Sequence, residues 1–287
     1  TAWADGPRLP TLPDVTPAPA PDEIGVEIER SAAPAVVRAA LERELGPLGE
    51  AGVVLDGPPL AEASVAVVVP ATVPQGRAVL KLLKPGVEAA LAEDLALLEL
   101  VGEGLDARTD ALGLPPLDHR GAVAAVRELL AAEVHLDLEQ AHMGAARERY
   151  RDMAGVVVPE VLPMSTSRVT VMERIDGRKV TESGLPAPAR RRLAHLAVQA
   201  LVAHPVLWAA GDSVFHADPH AGNLLATPDG RLGILDWSLV GRLRQDQLVL
   251  LTGVVVGAGL ADAGRVRRCV AALAGDDVDH DALRAVA

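Results

Sequence analysis

The chain of 287 residues holds a single cysteine, Cys269, and only five aromatic residues: Trp3, Tyr150, Trp208, Phe215 and Trp237. One cysteine excludes an intrachain disulfide, so a reducing compartment and a cytoplasmic location are expected. With aromatics at 2% and hydrophobic residues at 49%, the core must be packed from Leu, Val and Ala. Lysine is also scarce, confined to Lys81, Lys84 and Lys179 in a chain that otherwise uses Arg. Positive charge is in deficit overall, 27 Lys and Arg against 39 Asp and Glu, for a formal net charge of -12. That balance opposes nucleic-acid binding, which requires phosphates to be neutralised. It opposes a general hold on an anionic bilayer for the same reason; residues 189–193 (ARRRL) and 265–268 (RVRR) read first as solvated helix faces and only second as local contacts for lipid or a partner. A long apolar run is missing too. The most apolar window, residues 247–261 (QLVLLTGVVVGAGLA), is too short and too glycine-broken to span a bilayer. No signal peptide opens the chain, so it is expected to be soluble, at most peripheral to a membrane.

What is present falls into three parts. Residues 1–30 begin with prolines at 7, 10, 13, 17, 19 and 21 and little apolar periodicity, which predicts an extended linker or arm. Residues 31–175 mix helix and strand signals. A helix is expected over about 34–45, then strands over 63–69 (ASVAVVV) and 77–83 (RAVLKLL) joined at Pro74-Gln75-Gly76 as a hairpin. From Val87 the apolar period becomes helical through Val101, and a second helix is predicted over about 118–150. Strands follow at 156–158 and 168–172, then a turn at Asp176-Gly177. Residues 176–287 read as mostly helical, with helices over about 188–210 and after Gln245. The expected fold is α+β in two lobes, a small sheet-containing N-lobe and a mostly helical C-lobe, with a cleft between them.

The chemistry concentrates in residues 214–238, VFHADPHAGNLLATPDGRLGILDWS. Carboxylate and Asn oxygens at the ends of buried strands suit a hard divalent cation such as Mg2+, the companion of a nucleotide triphosphate. His216, Asp218 and Asn223 reproduce the intervals of the kinase pattern H-R-D-x-x-x-x-N, in which Asp receives or orients the attacking hydroxyl and Asn holds metal. Asp236, after a Pro-Asp-Gly turn and a short strand, stands where the second metal-binding Asp belongs. His220 lies two residues after Asp218, where it either serves the transferred phosphate or caps the loop. Phe215 and Trp237 read as bulky packers. A zinc site at His216, Asp218 and His220 is the weaker reading, because Pro219 and Gly222 argue for a loop rather than a strand.

The residues HADPHAGN with ILDW after them resemble the UbiB/AarF family of atypical kinases, whose members support isoprenoid quinone biosynthesis. Residues 79–98 (VLKLLKPGVEAALAEDLALL) and 156–177 (VVVPEVLPMSTSRVTVMERIDG) extend the resemblance, in unbroken order, over about 35–260. It implies a protein-kinase-like fold that binds ATP and Mg2+. It assigns Lys81 to the ATP phosphates with Glu139 as its helix partner, Ala63 and Ser64 to the nucleotide loop, and the backbone of Glu173 to Ile175 to the adenine. Asp218, with His220, becomes catalytic, and Asn223 and Asp236 hold metal. An isoprenoid lipid or a membrane surface is the implied partner beyond ATP. The chain departs from the pattern in three places. The loop AAASIGQVH reads AEASVAVVV, with Glu62, Ala66, Val67 and Val69 in the changed positions. The ExD pair reads Glu133-Val134-His135, and KxGQ is not found in these residues. Two other readings stand beside this one: a small-molecule phosphotransferase of the aminoglycoside or choline kinase type, and a nucleotide-binding pseudokinase scaffold.

Overall fold

A computed structural model of the protein describes residues 33–106, 119–209 and 211–274. The arm expected over 1–30 lies outside the described residues. Helix α1 (Pro34–Leu45) starts on a proline, whose missing N–H costs nothing in a first turn, and stops at Gly46, held at φ 78°. Its buried face, Val37, Ala40 and Leu41, packs on a sheet that begins with β1 (Val54–Leu55), β2 (Ala61–Glu62), β3 (Ala66–Val73) and β4 (Gly76–Leu83). β3 and β4 form the expected hairpin, in register from Ala66 opposite Leu83 to Val73 opposite Gly76. The first strand of that hairpin starts later than the sequence predicts and continues through Pro70. The Pro70 carbonyl accepts from Asp56 just beyond the end of β1, so the missing proline N–H faces the outer edge rather than β4.

The helix predicted over 118–150 is two helices. After α2 (Val87–Asp106) come α3 (His119–Ala132) and α4 (Leu136–Arg149). The break sits at residues 133–135. There the amides of Glu133 and His135 bond three residues back, and His135 adopts φ -100°, ψ 76°, outside the helical range. α2 and α3 pair with each other, Gly102 meeting Val123, and leave Leu97, Leu100, Val101, Val126 and Leu129 exposed. α4 turns instead into the body of the molecule.

Strands β5 (Val156–Val157) and β6 (Val169–Glu173) follow, and β6 completes the first sheet by pairing with β4. Residues 174–177 run as an extended connection rather than the predicted turn. A side chain at 177 would collide with the Ala226 carbonyl, 2.9 Å from where its Cβ would stand, so glycine lets this connection lie flat on the second lobe. β7 (Arg178–Lys179) leads to α5 (Ala187–Val198), which continues as nine residues of wide-turn π-helix (Gln199–Leu207). Pro205, which has no N–H to give, lies inside that stretch, where ordinary helix was expected.

The remaining elements are β8 (Ser213–His216), a 3₁₀ turn (Ala221–Asn223), β9 (Leu224–Ala226), β10 (Leu232–Ile234), β11 (Val240–Leu243), α6 (Gln245–Gly259) and α7 (Ala263–Ala274). Their strands form a sheet ordered β5-β10-β9-β7 and a β8-β11 ribbon. Each lobe has its own core. The first is Val, Leu and Ala between α1 and the large sheet. The second joins Met143 and Ala146 of α4, and Tyr150 just past its end, to Leu193, Leu224, Leu232, Ile234 and Trp237. α4 therefore bridges the two lobes: its apolar face packs in the second core, while Glu139 and Gln140 bond to Lys81 and Thr170 of the first sheet.

Candidate functional site

Strand alternation places the first site residue. Leu80 and Leu82 of β4 point into the first core with Val67, Val69 and Val171, so Lys81 between them points to the opposite face, flanked by Val68 and Thr170 on the neighbouring strands. There α4 presents Glu139, whose side chain is 1% exposed, and the two carboxylate oxygens accept from Lys81 Nζ at 2.9 and 2.8 Å. Lys81 Nζ also donates to Asp236 Oδ2 at 3.1 Å, so one ammonium ties strand, helix and the segment after β10 together. Burial works against the Lys81 charge, but Glu139 and Asp236 outweigh it and hold the pKa above the ordinary 10.5. Burial pushes the Glu139 carboxyl up; Lys81 opposes that, Asp236 adds to it, and the net direction is upward. Burial also pushes Asp236 up, yet the Lys81 charge and the Ser238 hydroxyl and amide hold it below 3.8.

Asp236 sits in the left-handed region at φ 47°, unusual for a residue with a side chain. Its carboxylate is held at both oxygens: Oδ1 accepts from the Ser238 hydroxyl at 2.7 Å and amide at 3.2 Å, and Oδ2 from Lys81. Next to it the Trp237 ring is 2% exposed, packed on His216 and Tyr150 with centroids 4.8 and 6.1 Å away. Its role is packing. The Trp237 carbonyl accepts from His142 Nδ1 at 3.2 Å.

The loop between β8 and β9 carries the other predicted residues. His216 is buried, and both ring nitrogens are used: Nε2 meets the Leu235 carbonyl at 3.1 Å and Nδ1 accepts the Asp218 amide at 3.2 Å. A carbonyl can only accept and an amide only donate, so His216 is the neutral Nε2–H tautomer and braces the loop. It has no lone pair left for zinc. Asp218 itself is about half exposed, with His220 Nε2 3.6 Å from its carboxylate. His220 Nδ1 accepts from Gly222 N–H at 3.0 Å, so this ring does cap the 3₁₀ turn while its other nitrogen faces Asp218. Asn223 gives its side-chain N–H to the Asp218 carbonyl at 3.2 Å, which turns its amide oxygen the other way.

Other predicted residues stand further out. Ala63 closes the turn between β2 and β3 by donating to the Ala66 carbonyl, and Ser64 donates to Glu133 Oε2 at 3.2 Å. Glu62 pairs with Lys84 at 2.8 Å. At the connection between lobes the Glu173 and Arg174 amides are given to the Glu160 and Arg77 carbonyls, and Ile175 packs against Gly233. Three participants escaped sequence reasoning: His142, Ser238, and the Glu62–Lys84 pair that staples the altered loop. Only the three-residue spacing of Glu139 and His142 on one helix could have signalled the first.

An acidic Asp236 and the Asn223 amide offer oxygen donors of the type Mg2+ takes when phosphates and water supply its remaining ligands. Among the described residues no cluster of three or more His, Cys, Asp and Glu is placed to hold a metal by protein ligands alone. The same residues also show no helix long and apolar enough to cross a membrane.

Known proteins resemble this chain in sequence and in fold. The chain is 32% identical over 219 residues to an uncharacterized aarF domain-containing protein kinase, chloroplastic, of Arabidopsis thaliana, covering 72% of this chain and 39% of that protein. It is 32% identical over 228 residues to a probable protein kinase UbiB of Pseudomonas putida, covering 77% and 42%. The chain thus spans about two-fifths of the length of these curated relatives. A solved structure, the Rv3197–erythromycin complex from Mycobacterium tuberculosis, superposes with a TM-score of 0.66 at 25% identity, covering 87% of this chain and 64% of that one. This likeness extends the two-lobed kinase-like arrangement to a solved fold. Residues 31–270 match the family described as the ABC1 atypical kinase-like domain, and the chain, with its UbiB and aarF relatives, belongs to that family.

Proposed function

We propose that the protein is a Mg-ATP-dependent phosphotransferase or ATPase of the UbiB type. The observation that carries this reading is the Lys81 ammonium, buried and shared between Glu139 and Asp236. A desolvated point charge held by a helix carboxylate next to an acidic metal ligand is suited to polyphosphate. In this reading Lys81 contacts the phosphates and Glu139 keeps it extended. Asn223 and Asp236 hold Mg2+, which when bound neutralises phosphate charge. Asp218, exposed at the loop tip and fixed by His216 and Asn223, receives or orients the acceptor hydroxyl, and His220 serves the same phosphate. Ala63 and Ser64 line the nucleotide loop. The Ile175 amide and the Glu173 carbonyl, on the connection between lobes, are the backbone groups for an adenine edge. The resemblance to the UbiB/AarF family favours an acceptor linked to isoprenoid quinone or lipid metabolism, met at a membrane surface.

A second reading, a nucleotide-binding pseudokinase, draws on the altered loop, where Glu62 and Ser64 are engaged by Lys84 and Glu133. One experiment separates the two. Mg-ATP at a hundredfold excess over its Kd should stabilise the protein by about 2.7 kcal/mol in either case. Phosphate release that falls about 10²- to 10⁴-fold in Asp218→Asn supports catalysis. Stabilisation without release supports the scaffold, and equal rates in both proteins remove Asp218 from the mechanism.

A further inference from the structure

We propose that His142 is a positioning residue for the Asp236 carboxylate, acting through the peptide that joins Trp237 to Ser238; this rests on reading Asp236 as a Mg2+ ligand. The Trp237 carbonyl and the Ser238 amide are two ends of one planar trans peptide, so they point in opposite directions. His142 Nδ1 donates to the carbonyl end at 3.2 Å, and the amide end donates to Asp236 Oδ1 at 3.2 Å. Holding the carbonyl against α4 therefore aims the N–H at Oδ1, and with Oδ1 fixed the other oxygen is turned toward Lys81.

Glu139, one helical turn before His142 on the same face, holds Lys81, which is the partner of the other Asp236 oxygen. Two residues of one helix face thus act on the two oxygens of Asp236, Glu139 through Lys81 at Oδ2 and His142 through the 237–238 peptide at Oδ1. The Trp237 indole is itself pinned, with Nε1 donating to the Ile234 carbonyl at 3.3 Å. This much restraint has a reason. Asp236 at φ 47° is a conformation that persists only where its surroundings over-determine it, and without the His142 donor the 237–238 peptide can rotate and take its N–H off the carboxylate. Outer partners of metal ligands work in this way, by fixing orientation rather than by touching the ion.

The test is the magnesium dependence of ADP binding, measured by calorimetry on the full chain. His142→Leu keeps bulk and removes the donor; His142→Asn places an N–H at the same δ position. For His142→Leu the magnesium concentration at half-maximal ADP binding should rise about 10- to 100-fold. Magnesium-free ADP affinity should change less than about twofold, since the phosphate contacts from Lys81 do not pass through this peptide. His142→Asn should return the magnesium requirement to within about threefold of the unaltered protein. Should His142→Leu not fold, His142→Ala takes its place. An unchanged magnesium requirement in the donor-free variant, or an Asn variant as impaired as the Leu variant, overturns the proposal. ADP binding that ignores magnesium in the unaltered protein overturns the metal assignment of Asp236 and this inference with it, and is told apart by appearing before any substitution.

Discussion

The two lobes bring charge to the site in opposite ways. Lys81 and Glu139 are sealed, with side chains 10% and 1% exposed, whereas Asp218 and His220 on the loop of the second lobe are 52% and 58% exposed. A sealed ion pair is pre-organised but expensive to disturb, because neither charge can turn to water when its partner is lost. A loop open to solvent contributes little to folding and is free to meet what enters the cleft. Stability and chemistry should therefore separate along the lobe boundary, with Asp236, hydrogen-bonded to Lys81 yet partly open, between the two extremes.

The largest effect that could break this contrast is at Glu139. Glu139→Ala leaves the Lys81 charge buried beside Asp236 alone and should cost about 3–5 kcal/mol in chemical denaturation. A loss under 1 kcal/mol would mean the pair is not sealed. Next comes the brace of the exposed loop. His216→Phe keeps a ring packed against Trp237 but strands the Leu235 carbonyl and the Asp218 amide, at a cost of about 1–3 kcal/mol.

Asp236 sharpens the comparison through pH. Its folded pKa is lowered, so its ionisation stabilises the fold fully above the ordinary 3.8, and that contribution is lost as pH falls through the folded value. The stability difference between the unaltered protein and Asp236→Asn should then shrink as acid is added below that range. A difference that widens on acidification reverses the sign and removes the Lys81–Asp236 attraction from the account. Lys81 acts at the other end: its raised pKa gives a contribution complete below 10.5 and lost as pH rises through the folded value. The smallest effect is at the exposed tip, where Asp218→Asn should change stability by no more than about 0.5 kcal/mol. A larger loss would show that the loop carries load for the fold.

Helix α4 shows why some of this was readable and some was not. Its predecessor α3 has the cleaner apolar stripe, yet no residue of α3 is buried, while α4 buries Leu136, Glu139, Met143 and Ala146 with far weaker patterning. Periodicity reports that a helix has two faces and says nothing about what meets them. The continuous pattern across both helices also hid the break at 133–135, because the stripe carries on where the backbone does not. By contrast the β3–β4 hairpin and the placing of Lys81 on its second strand were legible, since strand alternation and a Pro-Gln-Gly turn act locally. The spacing of His216, Asp218, Asn223 and Asp236 was legible for the same reason. The proline-bearing π-helix and the extended connection at Gly177 were not, because contacts from distant segments shape both.

By itself the amino-acid order determined the class of the fold, the family, and which side chains stand at the intervals of the kinase pattern, since residue type and interval are properties of the chain alone. Only the tertiary structure decided that Lys81 is shared between two carboxylates, that His216 is neutral and bracing, and that His142 grips the peptide beside Asp236. Those facts depend on which atoms from residues far apart in sequence come within about 3 Å of one another, and hydrogen bonds and burial act at that range alone.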